Sequence, residues 1–159
     1  MNSSQNQIVQ AFNLFQQGRL IEAETLFHTI LKRDRKNHDA QHYLGILKVA
    51  KGDLDEGLEL LRSSLKQPHT FRSYSENYAS TLFQAGCYQP AIAFCKNTIA
   101  KIGVTESLQY VLACSLLRLE QHVEAISAFL AEAEITADPA YIEHARAVAA
   151  RAKAMHGIK

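Results

Sequence analysis

The sequence predicts an all-α solenoid built from four helix hairpins and one further helix. The first observation is a ten-residue phrase repeated at a fixed interval: GRLIEAETLF from Gly18, GDLDEGLELL from Gly52, GCYQPAIAFC from Gly86 and EQHVEAISAF from Glu120, each 34 residues after the last. The second is a pair of small-residue columns on the same step. One reads Ala11, Gly45, Ala79 and Ala113, the other Ala23, Gly57, Ala91 and Ala125, and twelve residues separate them in every unit. The third is the glycine column Gly18, Gly52 and Gly86, which falls between two helical patterns. A fixed period of this length marks a repeat architecture, in which each unit is one supersecondary element.

Each element has a local reason. A residue free to take positive φ ends the first helix of a unit and turns the chain, which is the role of Gly18, Gly52 and Gly86. The small columns let two helix backbones approach and cross at a reproducible angle. Large residues follow on the same face, in the columns Phe27, Leu61, Cys95, Phe129 and Leu31, Leu65, Ile99, Ala133. In the second unit Asp53 is placed to cap the next helix, with Glu56 three residues on. In the third, Pro90 suits a first helical turn. The fourth unit has Glu120 where the others have glycine, and Gly57 in a helix interior should cost about 1 kcal/mol relative to alanine. Asp138 and Pro139 then open a last helix to about residue 156, with an apolar face of Tyr141, Ala145, Val148, Ala152 and Met155 that suits a cap on the stack.

These residues resemble the tetratricopeptide repeats, whose consensus has this period, these small and large columns and a turn glycine. The resemblance covers residues 4–137 and sets the units at about 4–37, 38–71, 72–105 and 106–138, with a capping helix at about 139–156, all in one domain of residues 1–159. It implies a right-handed superhelical α-solenoid. The proline usual near the end of such units is missing from its column, which reads Arg35, His69, Gly103 and Ala137.

Composition narrows the function. Apolar residues make up 47% and charged residues 21%, the formal charge is +1, and no window is long and apolar enough for a spanning helix, so neither nucleic acid nor membrane is indicated as a partner. The start MNSSQNQIVQ lacks a secretory pattern, and a cytoplasmic location is expected. Charge is uneven: residues 106–138 sum to −5 and residues 139–159 to +3. Cys87, Cys95 and Cys114 form no CxxC pair and read as buried, reduced thiols. No GxSxG, Walker A, GxGxxG, HExxH or EF-hand pattern occurs, so no catalytic residue, metal site or cofactor is indicated. His38 and His42 stand four apart without a third ligand and read as surface histidines; the run Lys32 to His38 reads as a solvated connection between units.

The resemblance implies that the first helices of successive hairpins line a groove that holds a partner. Carried over, that lining is Ile8, Phe12 and Phe15 in the first unit, His42, Tyr43 and Ile46 in the second, Asn77, Ser80 and Phe83 in the third, and Tyr110, Cys114 and Arg118 in the fourth. Such a surface suits an apolar peptide or an amphipathic helix. Of the residues with which some members grip a terminal carboxylate only Asn77 is matched, and the column Val9, Tyr43, Asn77 and Val111 lacks the asparagine ladder of others. The sequence is read as a non-catalytic interaction module or scaffold for a protein or peptide, monomeric or weakly dimeric. Two alternatives stand beside it: a substrate-recruiting region of a bacterial glycosyltransferase or sulfotransferase, whose repeat regions contain phrases like QQGRLIEAETLFHTIL, and a self-associating structural module.

Overall fold

The computed structural model describes residues 3–66 and 71–136, together with residues 139, 142, 143, 146, 147, 150 and 154. Eight helices and no strand occur among the described residues: α1 (Ser3–Gln16), α2 (Leu20–Arg33), α3 (His38–Ala50), α4 (Leu54–Ser64), α5 (Phe71–Gln84), α6 (Tyr88–Ile102), α7 (Glu106–Arg118) and α8 (His122–Thr136). The second helices of the hairpins start at residues 20, 54, 88 and 122, so the sequence period is the structural period. Two compact units divide the chain, Met1–Thr81 and Leu82–Lys159. Asp138 and the apolar face proposed for the last helix lie outside the described residues; Pro139, Ile142, Glu143, Arg146, Ala147, Ala150 and Ala154 are helical.

The hairpin turn is one hydrogen-bonded design used four times. In the first copy Gly18 N donates to Phe15 O and Arg19 N to Leu14 O, both at 3.0 Å. The second bond reaches back five residues and closes a Schellman turn, which needs a left-handed residue just past the helix end. Gly18, Gly52 and Gly86 supply it at φ 74°, 94° and 75°. Glu120 takes the same conformation at φ 59°, and Gln121 N donates to Leu116 O at 2.9 Å as its counterparts do. The fourth turn therefore survives the loss of glycine, with Glu120 carrying the steric cost of a Cβ in the left-handed region.

This turn also overturns the expected cap at Asp53. Its side chain makes no cap hydrogen bond, and the matching residues Arg19 and Cys87 share its backbone near φ −80° and ψ 60° and likewise do not cap. Leu54 N already donates to Gly52 O at 2.9 Å. Asp53 instead lies 3.5 Å from Lys48 Nζ, which Glu56 approaches at 2.8 Å. Side-chain caps occur where the chain enters a hairpin from extended backbone: Asn37 accepts from Ala40 N at 3.0 Å and Thr105 from Leu108 N at 3.3 Å. Pro90 falls in the first turn of α6, as its fixed φ requires.

Packing within the hairpins follows the small columns. Ala11, Ala23, Ala79, Ala91, Ala113 and Ala125 are all fully buried, as are Phe27, Leu61 and Cys95 from the large column. Phe129 closes that column only half-buried. In the α3–α4 pair the approach is tighter than alanine allows. A Cβ on Gly45 would meet Gly57 O and Leu61 Cγ at 2.8 Å, and one on Gly57 would meet Val49 Cγ2 at 2.6 Å and Val49 N at 2.8 Å. Gly57 is therefore a packing requirement, which corrects its reading as a simple helix-propensity loss.

The outward face of α1 carries a different chemistry from its counterparts. Ala40, Leu44 and Leu47 of α3, and Leu108, Leu112 and Ser115 of α7, are buried, whereas Asn6, Gln10 and Asn13 at the matching places are exposed. Three amides thus stand in water where α3 and α7 bury their side chains.

Two substitutions test the turn and the crossing. Gly57→Ala should lower stability by about 1–3 kcal/mol in urea unfolding, although alanine is the better helix former. Glu120→Gly should raise it by about 0.5–1 kcal/mol by removing the left-handed Cβ.

Candidate functional site

Within residues 1–81 the inner helices α1, α3 and α5 bring together most of the residues that the sequence singles out. Tyr43 is the centre: its ring lies 5.0 Å from Phe12, 5.4 Å from Phe15, 5.7 Å from Phe27 and 5.3 Å from His42, centroid to centroid. Phe27 is fully buried, while Phe12, Phe15 and Tyr43 are half-buried. Ile8, Phe15 and Tyr43 pack against the core of Ala11, Ala23, Phe27 and Leu44. These aromatic groups therefore hold the first two hairpins together and present only an edge outward. Ile46 and Ser80 are half-buried on α3 and α5.

His42 departs furthest from expectation. It is fully buried, so it is neither a surface histidine nor a groove contact. Its ring stacks on Tyr74 with centroids 3.6 Å apart and planes at 5°. Asn77 Nδ2 lies 3.0 Å from Nε2 and Ser64 Oγ 3.4 Å from Nδ1. An amide nitrogen only donates, so Nε2 accepts and the ring proton sits on Nδ1, directed at Ser64 Oγ. Ser64 in turn donates to Leu61 O at 2.7 Å. The order serine, histidine, asparagine is that of a nucleophile relay, but the Ser64 hydroxyl is buried and its proton is committed to a backbone carbonyl. The cluster ties α3, α4 and α5 to one another. Burial pushes the imidazole down to about 4, against a smaller upward pull from Asp39. His38 is half-buried, with Nδ1 shielded from solvent, so it too differs from an open surface histidine.

This network is missing from the sequence reading, although a trace of it is there. The column Ile30, Ser64, Thr98 and Glu132 is buried in every unit, and polar residues replace the apolar one after the first. A polar residue in a buried column needs a partner, and that requirement points to His42.

Residues 82–159 present a more open surface. Tyr110 is 51% exposed and Leu117 42% exposed, seven residues apart on one face of α7, with Cys114 half-buried between them. Tyr110 meets Phe129 edge-on at 6.4 Å. Phe83 lies 5.6 Å from Tyr88, whose ring has the Arg118 guanidinium 6.0 Å from its centroid. Leu117 is thus an outward group. Of the cysteines, Cys95 alone is fully buried, and burial pushes its thiol up to about 12; Cys87 and Cys114 are half-buried, which corrects the expectation of three buried thiols. No helix among the described residues is long and apolar enough to cross a membrane.

The repeated hairpin, its Schellman turn and its small-residue crossing define a helical repeat protein of the tetratricopeptide class. Residues 14–75 match the tetratricopeptide repeat family model, and the fold is that of an all-α repeat solenoid of this kind. Solved structures of similar fold include MamA from AMB-1, 21% identical with a TM-score of 0.73 over 98% of this chain and 83% of that one. A tetratricopeptide repeat protein from Parabacteroides merdae is 18% identical with a TM-score of 0.77, over 98% of this chain and 62% of that one. A Podospora anserina protein with nearly identical TPR-like repeats is 19% identical, with a TM-score of 0.68 over 99% and 89%. At these identities the likeness establishes the fold. No curated protein matches the chain.

The buried histidine makes stability depend on pH. The unfolded chain binds a proton at His42 near pH 6.5 and the folded chain only near 4, so stability falls as the pH drops through that window. Urea unfolding at pH 7 and pH 4.5 should differ by about 2–3 kcal/mol in excess of a His42→Asn variant, which has no proton to bind there.

Proposed function

We propose that the chain is a non-catalytic interaction module whose inner helices hold an apolar segment of a protein partner. The observation that carries this reading is the pair Tyr110 and Leu117, large apolar groups standing 51% and 42% exposed on an inner helix. Aromatic anchors with an apolar body and a polar tip are the groups that most often supply binding energy in a recognition surface. The half-buried edges of Phe12, Phe15 and Tyr43 in the other unit support the same reading. Those rings are braced by the core, so a ligand meets a surface already in place and orders few side chains on binding. Tetratricopeptide repeat domains generally bind proteins, which agrees with both surfaces.

The test separates anchor from scaffold. Tyr43→Ala would remove a ring shared by four others and should cost about 3 kcal/mol of stability, which makes it a poor probe of binding. Tyr110→Ala with Leu117→Ser should leave the urea midpoint nearly unchanged, because both side chains already face water. Affinity capture with quantitative mass spectrometry should show partners retained by the wild type and lost from this double variant. Equal capture by the two folded proteins would count against the α7 surface as a binding site.

A further inference from the structure

The inner surface of residues 1–81 carries a carboxylate, Asp39, that forms no ion pair with a described residue. Asp39, half-buried in the first turn of α3, accepts a hydrogen bond from the Tyr74 hydroxyl at 2.5 Å on Oδ1. The groups that face this cluster are Tyr43 on α3, Tyr74 and Asn77 on α5, and His42 with Ser64 of α4 behind it. None of these contacting groups is positive, since the buried imidazole is held neutral; Lys36 and His38 line the depression on the other side of Asp39, and neither pairs with it. The field of Asp39 reaches the neighbouring phenols: both Tyr43 and Tyr74 are raised, by burial first and by Asp39 after it.

The surroundings of that charge are aromatic. Tyr43 continues from the Asp39 side to Phe12 at 5.0 Å and Phe15 at 5.4 Å, and all three rings keep an outward edge. A carboxylate beside half-buried rings repels an acidic ligand and leaves a purely apolar one facing an unpaired charge. A cation on an apolar stem suits both parts. Arginine suits them better than lysine, because its planar group stacks on rings, is more weakly hydrated and donates along a fixed fork to a carboxylate.

We propose that this surface recognises an arginine in the partner's apolar segment, with the guanidinium on Asp39 and the stem and plane against Tyr43 and Phe12. The inference rests on the reading of the inner helices as a peptide-binding surface and names what that peptide must carry. Apolar neighbours of the arginine lie on Phe15 and Ile8, which adjoin the same rings.

The test uses the full chain and two acetylated, amidated pentapeptides, Leu-Leu-Arg-Leu-Leu and the same peptide with neutral citrulline in place of arginine. Wild type should bind the arginine peptide about tenfold more tightly, with resonance shifts at Asp39, Tyr43 and Phe12. Asp39→Asn keeps an oxygen for the Tyr74 hydroxyl, so the fold should hold while the two peptides become equal. Should that variant unfold, salt serves on the wild type: the tenfold preference should shrink toward unity near 1 M. Equal binding of both peptides to these residues overturns the arginine inference and leaves the peptide-binding reading standing. Absence of shifts at any inner-helix residue with either peptide overturns both. A preference that persists in Asp39→Asn, or that ignores salt, also overturns the assignment to Asp39.

Discussion

Each hairpin depends on a place where two helices meet without side chains between them. In the α3–α4 pair that place is Gly45 against Gly57, where an added methyl group would lie under 3 Å from backbone atoms of the facing helix. The α1–α2 and α7–α8 hairpins have alanines at these places, Ala11 with Ala23 and Ala113 with Ala125, all fully buried. With the backbones this close, the large residues one turn further on reach past the partner helix, which is why Phe27, Leu61 and Cys95 are buried to the last atom. The turn, the crossing and the core are thus one constraint repeated every 34 residues.

That constraint divides the labour among positions. Residues in the repeated phrase and the small-residue column of the first helices hold the scaffold, and the other positions of those helices differ from unit to unit. In residues 1–81 the variation is spent on a tied cluster: His42 stacks on Tyr74, and its two nitrogens meet Ser64 and Asn77. A buried polar group must be paired, and pairing three helices through one ring fixes their mutual position more narrowly than apolar packing would. Its cost is sensitivity to acid, because a charged imidazole has no room in that stack. In residues 82–159 the inner face stays open at Tyr110 and Leu117. One unit invests its aromatic residues in rigidity, and the other leaves one of them, Tyr110, half in solvent.

The fourth turn shows how geometry overrides local preference. Glu120 adopts the left-handed conformation because the hydrogen bonds of the turn and the burial of Ala113 and Ala125 on either side outweigh the local strain. Asp53 shows the opposite lesson. As a residue type it is a good helix cap, yet the tight turn holds its backbone away from the extended geometry a cap needs, and the carboxylate serves Lys48 instead.

The sequence by itself determined the all-α class, the hairpin unit, its period, the turn positions and the small and large columns, because each of these is a local or periodic requirement that leaves a mark at a fixed spacing. Gly18, Ala23 and Phe27 could be assigned to turn, crossing and core on that basis alone. Only the tertiary structure decided what the inner residues do. Whether His42 faces a ligand or a neighbouring helix depends on Ser64, Tyr74 and Asn77, which lie 22 to 35 residues away and are brought to it by stacking of hairpins. Tyr43 and Tyr110 are both tyrosines on inner helices, yet one is braced by four rings and the other stands half in solvent. The difference comes from burial by distant neighbours, and burial is a property of the packed chain that no single position in the sequence carries.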